Sequence, residues 1–124
     1  MSLDIQISEQ QAGVQKVQLS GRLDTLTAPQ LDSALALVLE NADTLVFDMA
    51  DLEYISSAGL RSILVANKTV KANNGRTCIL SVQPQIRKVF DVVRALPDVP
   101  VFKNDVEMDE YLDMIQRKVL DGDQ

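Results

Sequence analysis

The chain has 124 residues, 46% of them hydrophobic and 24% charged, enough to bury roughly two-thirds of its unfolded surface in one core without disulfides or metals. With 18 acids against 12 bases the net charge is −6, which argues against nucleic acid and anionic membrane surfaces as partners, because both are bound through clustered positive charge. There is no histidine, which removes Ser-His-Asp triads and His-ligated zinc, and the single cysteine, Cys78, excludes an internal disulfide or a cysteine-cluster metal site.

In chain order, residues 3–7 alternate apolar and polar side chains, the period of a half-buried strand. A glycine-containing turn at Gln11-Ala12-Gly13 leads into a second strand at 14–19, so the opening reads as an antiparallel hairpin, with Gly21-Arg22-Leu23-Asp24 extending or ending it. Thr27 stands three residues before Gln30, with Pro29 in the first turn, which is the pattern of a capping box. Leu31, Ala34, Leu35, Val38 and Leu39 then recur at helical steps and predict a helix over 28–40. Residues 44–49 form a nearly continuous apolar run, as in a strand covered on both faces, and 50–55 read as a loop. Ser56 and Ser57 stand before a second periodic stretch, Leu60, Ile63, Leu64, Asn67, Val70 and Lys71, closed by Asn73-Asn74-Gly75. A further buried strand is predicted at 77–82 and a short helix from Pro84 carrying Ile86, Val89, Phe90 and Val93. Residues 99–102 read as a short edge strand, since proline is tolerated there. A final helix over 105–120 places Met108, Tyr111, Leu112, Ile115 and Val119 on one side, a stripe best assigned to the core, as is Cys78 in mid-strand.

This order predicts an α/β fold with a mixed, mostly parallel sheet of four to five strands, an N-terminal antiparallel hairpin and about four helices, in one domain over 1–124. The strands flanking the 28–40 helix form a βαβ unit and run parallel. Asp24, Asp48 and the segment after each strand are therefore expected at the carboxyl edge, where helix N-termini point and ligands of open α/β sheets bind. Ser56 and Ser57 lie at that rim. One serine can cap the helix while the other stays free, and a phosphoryl group on the free one would meet the helix dipole and open N–H groups. Arg61 and Ser62 are expected to face outward one turn further on. Catalysis by Ser57 is a poor reading, because there is no histidine and Ser-Ser-Ala-Gly lacks the Gly-x-Ser-x-Gly elbow; a serine–lysine dyad is the alternative left open, although no lysine stands out as a desolvated base. The N-terminal decapeptide has neither a basic region nor an apolar run, and no stretch approaches the ~20 apolar residues of a membrane span. A reducing, cytoplasmic location is expected.

Gly21-Arg22-Leu23-Asp24, then Thr27-Ala28-Pro29, then 45–48 continuing through Leu52-x-Tyr54-Ile55-Ser56-Ser57-Ala58-Gly59-Leu60 resemble the STAS domain over nearly the whole chain, and within it the bacterial anti-sigma factor antagonists. The resemblance implies a non-enzymatic partner switch without cofactor or metal. The unmodified domain binds an anti-sigma factor, itself a serine kinase of the histidine-kinase-like ATPase fold, and frees the sigma factor. The kinase phosphorylates a serine at the start of the second helix and a PP2C-type serine phosphatase restores it. In the family motif Asp-Ser-Ser/Thr-Gly the serine after the aspartate is modified, which maps onto Ser57, with Ser56 at the aspartate's place, Ala58 at the second hydroxyl's, and Ser56 as the alternative target. The implied partner-facing set is Asp24, Asp48, Ser56, Ala58, Gly59 and Arg61, on a protein monomeric by itself. Two other outputs fit the same resemblance: a partner switch controlling something other than a sigma factor, and a soluble STAS subunit of a lipid or anion transport complex.

Overall fold

A computed structural model describes residues 2–93 and 99–120, with side chains placed for all of these except 92, 93 and 115–120. Strands β1 (Leu3–Gln11) and β2 (Val14–Leu23) form the expected antiparallel hairpin. Its tight turn needs a positive φ, and Gly13 supplies it at 82°. Helix α1 (Ala28–Ala36) leads to β3 (Thr44–Ile55), α2 (Ser57–Ala72) to β4 (Arg76–Leu80), α3 (Pro84–Val93) to β5 (Val101–Phe102), and α4 (Asp105–Leu120) closes the order. The sheet runs β1-β2-β3-β4-β5, antiparallel only in its first pair. Strand order follows chain order, and crossovers of one hand then put every connecting helix on the same face. The main core lies there: Leu31 and Leu35 of α1, Ile63, Ala66 and Val70 of α2, and Ile86 and Phe90 of α3 close over Val17, Leu19, Leu45, Phe47 and Ile79.

No crossover follows β5, and α4 packs on the opposite face. Met108, Tyr111 and Leu112 cover Val14, Val46, Cys78 and Leu80, so this stripe is core as expected. Ile115 and Val119 are among the side chains not described, as is Val93 of the α3 stripe. Cys78 is fully buried, and desolvation pushes its thiol up to about 11 against the opposing charge of Arg76, which leaves it unreactive at neutral pH. Beyond α4 the same face is polar, a shallow hollow of about 230 Å³ lined by Asp4, Gln6, Gln18, Ser20, Asp48 and Asp51.

Several details differ from expectation, among them β1, which runs on to Gln11, and β5, which is only Val101–Phe102. Helix α1 ends at Ala36, not at residue 40; its last turn tightens into the bonds Leu37 N–H to Ala34 and Val38 N–H to Leu35, and a 3-10 turn at Leu39–Asn41 follows. Thr27 makes no capping box: it is buried, and its hydroxyl donates to the Arg22 carbonyl while accepting from the Asp24 amide. Residues 50–55 are no loop but the second half of β3, paired with β2 from Ser20↔Asp51 to Leu23↔Ile55. Strand β4 stops at Leu80, because Ser81 turns to φ 60° and donates its amide to Phe102.

One buried charge ties α4 to the sheet. Lys16 of β2 keeps only 11% of its side chain exposed, with Nζ 3.7 Å from Asp48 and 3.2 Å from Asp105 at the start of α4. Removing one member of a buried pair leaves the other desolvated and unmatched. Lys16→Met is therefore expected to cost roughly 2–3 kcal/mol in urea denaturation, the low side for such pairs because Asp105 is largely solvated. Adding Asp48→Leu to Lys16→Met is expected to recover most of that loss, since apolar replacement of both partners is close to neutral.

Candidate functional site

The rim of the sheet is set by the way α2 starts. The Ser56 amide donates to the Leu23 carbonyl at 2.9 Å, which fastens the end of β3 to the end of β2. Ser56 is extended, at φ −97° and ψ 174°, and its Oγ accepts from the Gly59 amide at 3.3 Å, so it is the N-cap of α2. Ser57 is the first residue of the helix and exposed, and among the described residues its hydroxyl has no hydrogen-bond partner. Of the two adjacent serines, one hydroxyl is engaged in holding the helix and the other is free.

Gly59 is buried beneath this point. A Cβ there would stand 2.5 Å from Leu23 Cγ and 2.9 Å from the Leu23 carbonyl oxygen. Only a residue without a side chain lets the first turn of α2 sit so close to β2. The expectation that Gly59 faces a partner is thereby corrected: it positions the helix from below. Ser62 is corrected likewise, since it is buried with its hydroxyl directed to the Ala58 carbonyl, whereas Arg61 is exposed as expected.

Asp24 lies at the carboxyl end of β2, as expected, but its carboxylate has a local task. Oδ1 accepts from the Leu26 and Thr27 amides at 3.0 and 3.1 Å, and its carbonyl takes the Ala28 amide, so Asp24 holds the turn that leads into α1 at Thr27. Oδ2 lies 3.9 Å from Arg22, whose guanidinium stacks 4.1 Å from the Tyr54 ring centre. Partial desolvation pushes this carboxyl up, but the hydrogen bonds from Thr27 and Leu26 and the Arg22 charge outweigh it and hold it below its ordinary 3.8. Asp48 is not on this rim. Strand β3 continues seven residues beyond it, about 20 Å at strand rise, and its side chain meets Lys16 on the α4 face. The physical reason is the strand's extra length, which the sequence reading took for loop.

Beside Ser57 the two helices part. A groove of about 670 Å³ runs between α1 and α2, its walls formed by Ala28, Leu35, Ala58 and Val65, with Ser57 and Arg61 on the α2 lip and Asp32 on the α1 lip. Leu26 and Leu37, at the two ends of α1, are 88% and 81% exposed. The sequence pattern did not mark this groove, because the apolar side chains that line it, such as Leu35, read as ordinary core positions. Among the described residues no cluster of side chains could hold a metal ion, and no helix is long and apolar enough to cross a membrane.

Comparison with known proteins places this geometry in a family. The profile of the STAS domain matches residues 6–108. BtrV of Bordetella bronchiseptica, described as an anti-sigma factor antagonist, is 38% identical over 50 residues, which cover 40% of this chain and 43% of that relative's length. Two solved structures share the fold. The Bacillus cell fate determinant SpoIIAA in its phosphorylated form has 21% identity and a TM-score of 0.72 over 88% of this chain and 99% of that one. An anti-sigma factor antagonist from Mycobacterium paratuberculosis has 23% identity and a TM-score of 0.76 over 93% and 95%. The chain belongs to the STAS domain family.

Two measurements check the rim. Gly59→Ala is expected to lower stability by about 1–3 kcal/mol in urea denaturation, because the new methyl overlaps backbone as well as a side chain. Asp24→Asn is expected to be less stable than the parent at pH 7. A carboxylate held low in the folded state stabilises above its unfolded pKa, so that difference should close as pH falls through about 4 toward 3.

Proposed function

We propose that this STAS chain is an anti-sigma factor antagonist working as a phosphorylation-controlled partner switch, with Ser57 as the modified residue. The observation that carries the reading is the division of labour between the serines: Ser56 caps α2, while the Ser57 hydroxyl is exposed and free at the lip of an open groove. The similarity to BtrV, described as an anti-sigma factor antagonist, and the shared fold of SpoIIAA, solved in both unphosphorylated and phosphorylated forms, support the same class. In this reading the whole of 1–124 acts as one domain in the cytoplasm. It is a substrate rather than a catalyst and needs no cofactor or resident metal.

The partner is a serine kinase of the histidine-kinase-like ATPase fold that also serves as the anti-sigma factor. It docks over the start of α2 and the α1–α2 groove. In the modification step the bond between the γ-phosphorus of ATP and ADP breaks and a bond to Ser57 Oγ forms, with the hydroxyl proton passing to a base of the kinase. A PP2C-type phosphatase returns the hydroxyl by adding water and releasing inorganic phosphate. Phosphoserine brings about −1.5 to −2 charges to the face that docks. Charge placed against a fitted interface costs several kcal/mol, and ~3 kcal/mol is about a hundredfold in affinity. This is enough to exchange partners.

Peptide mapping by mass spectrometry of the chain from its native cells is expected to find one phosphoryl group, on Ser57. Ser57→Ala should hold the kinase constitutively and Ser57→Asp should bind it about a hundredfold more weakly by titration calorimetry. Equal binding by the two variants, or modification on Ser56 alone, would overturn the assignment.

A further inference from the structure

Arg61 is the residue of the site that the switch above leaves unexplained. It lies on the exposed side of α2 and lines the groove one turn beyond Ser57. Among the described residues it makes no ion pair or hydrogen bond. It is the single cation of the groove's lining, facing one acid, Asp32, across the gap. Leaving the one arginine of a docking face unpaired gives the free protein nothing, so its counter-charge has to come from outside the unmodified chain.

Resting on the reading of Ser57 as the modified residue, we infer that Arg61 is the intramolecular acceptor of the phosphate on Ser57. Residues four apart on a helix have Cβ atoms about 5–6 Å from each other, within reach of an arginine fork. Helical side chains lean toward the N-terminus, so Arg61 is directed back over the turn that carries Ser57. An anion at position i with a cation at i+4 is also the favourable polarity for such pairs. The guanidinium matches phosphate oxygens in a two-point contact.

The pairing alters what modification does to the docking face. Before phosphorylation Arg61 offers a positive charge at the lip of the groove, suited to an acidic residue of the partner. Afterwards the phosphate takes that guanidinium for itself. The face therefore gains a negative group and loses its one free cation in the same event, and binding is lost through two changes rather than one.

The test needs no partner. Phosphoserine is installed at position 57 by amber suppression, and its second ionisation is followed by ³¹P NMR titration in the otherwise unaltered chain, in Arg61→Gln and in Lys68→Gln, an exposed cation two turns further along α2. Pairing stabilises the dianion, so Arg61→Gln should raise the phosphate pKa by ~0.3 unit or more while Lys68→Gln leaves it in place. The parent chain should also show a two-dimensional correlation between the phosphorus and the Arg61 guanidinium protons. Identical titration curves for the parent and Arg61→Gln would overturn the inference, and so would equal shifts in both variants. Because the phosphoserine is incorporated during translation, these outcomes are separate from whether native cells modify Ser57, which the mass mapping decides.

Discussion

The start of α2 rests on the last carbonyl of β2. Leu23 accepts the Ser56 amide, and its side chain and carbonyl oxygen lie where a Cβ on residue 59 would have to be. Glycine at 59 is therefore the condition for everything above it. It lets the helix come down onto the strand, turns Ser56 into the cap, and lifts Ser57 clear of the surface. The same carboxyl edge carries Asp24, which holds the turn leading into α1, the helix that forms the opposite wall of the groove. Two adjacent strand ends thus hold two helix starts, and the space between those helices stays open as the groove.

The two faces of the sheet are built on different rules. On one, three crossover helices bury a continuous apolar layer. On the other, α4 covers the region from β2 to β5, and the remaining surface over β1 and β2 is polar. Lys16 sits at the seam, its stem against the smaller core and its charge shared between Asp48 and Asp105. Asp48 thus serves to anchor the last helix, at a distance from the serines that a reading of topology alone would not assign to it.

Much of this was legible in the sequence, because most elements keep a clean period. The hairpin, α2 from its two serines to Asn74 at φ 66°, α3 and α4 follow from spacing alone. The errors came where tertiary structure overrides local pattern. Strand β3 needs twelve residues to match ten of β2, and the register shifts opposite Asp51 and Tyr54 place Leu52 and Ile55 three apart, so the alternation that marks a strand vanishes. That one irregularity displaced Asp48 from mid-strand to the rim. Thr27 looked like a cap because serine and threonine usually are, yet a buried hydroxyl turned back toward β2 satisfies the Arg22 carbonyl instead. The pairing of a free serine with a capping one could be anticipated from Ser56-Ser57, but which of them caps depended on the backbone turn at residue 56.

Strand order that repeats chain order also shapes how the molecule reaches its fold. Residues 24–43, 56–75 and 81–100 separate successive parallel strands, so each crossover is twenty residues long. No strand has to wait for a partner from the far end of the polypeptide, and each loop closes at nearly the same entropic cost. Parallel sheets generally fold slowly because their pairings are remote. Here assembly can proceed as a zipper, from the two-residue turn at Gly13 outward, with each βα unit docking on an edge already in place. The register shifts of β3 fall in the first crossover pair, so the strand alignment that fixes the rim of the site is set early, before β4 and β5 are added.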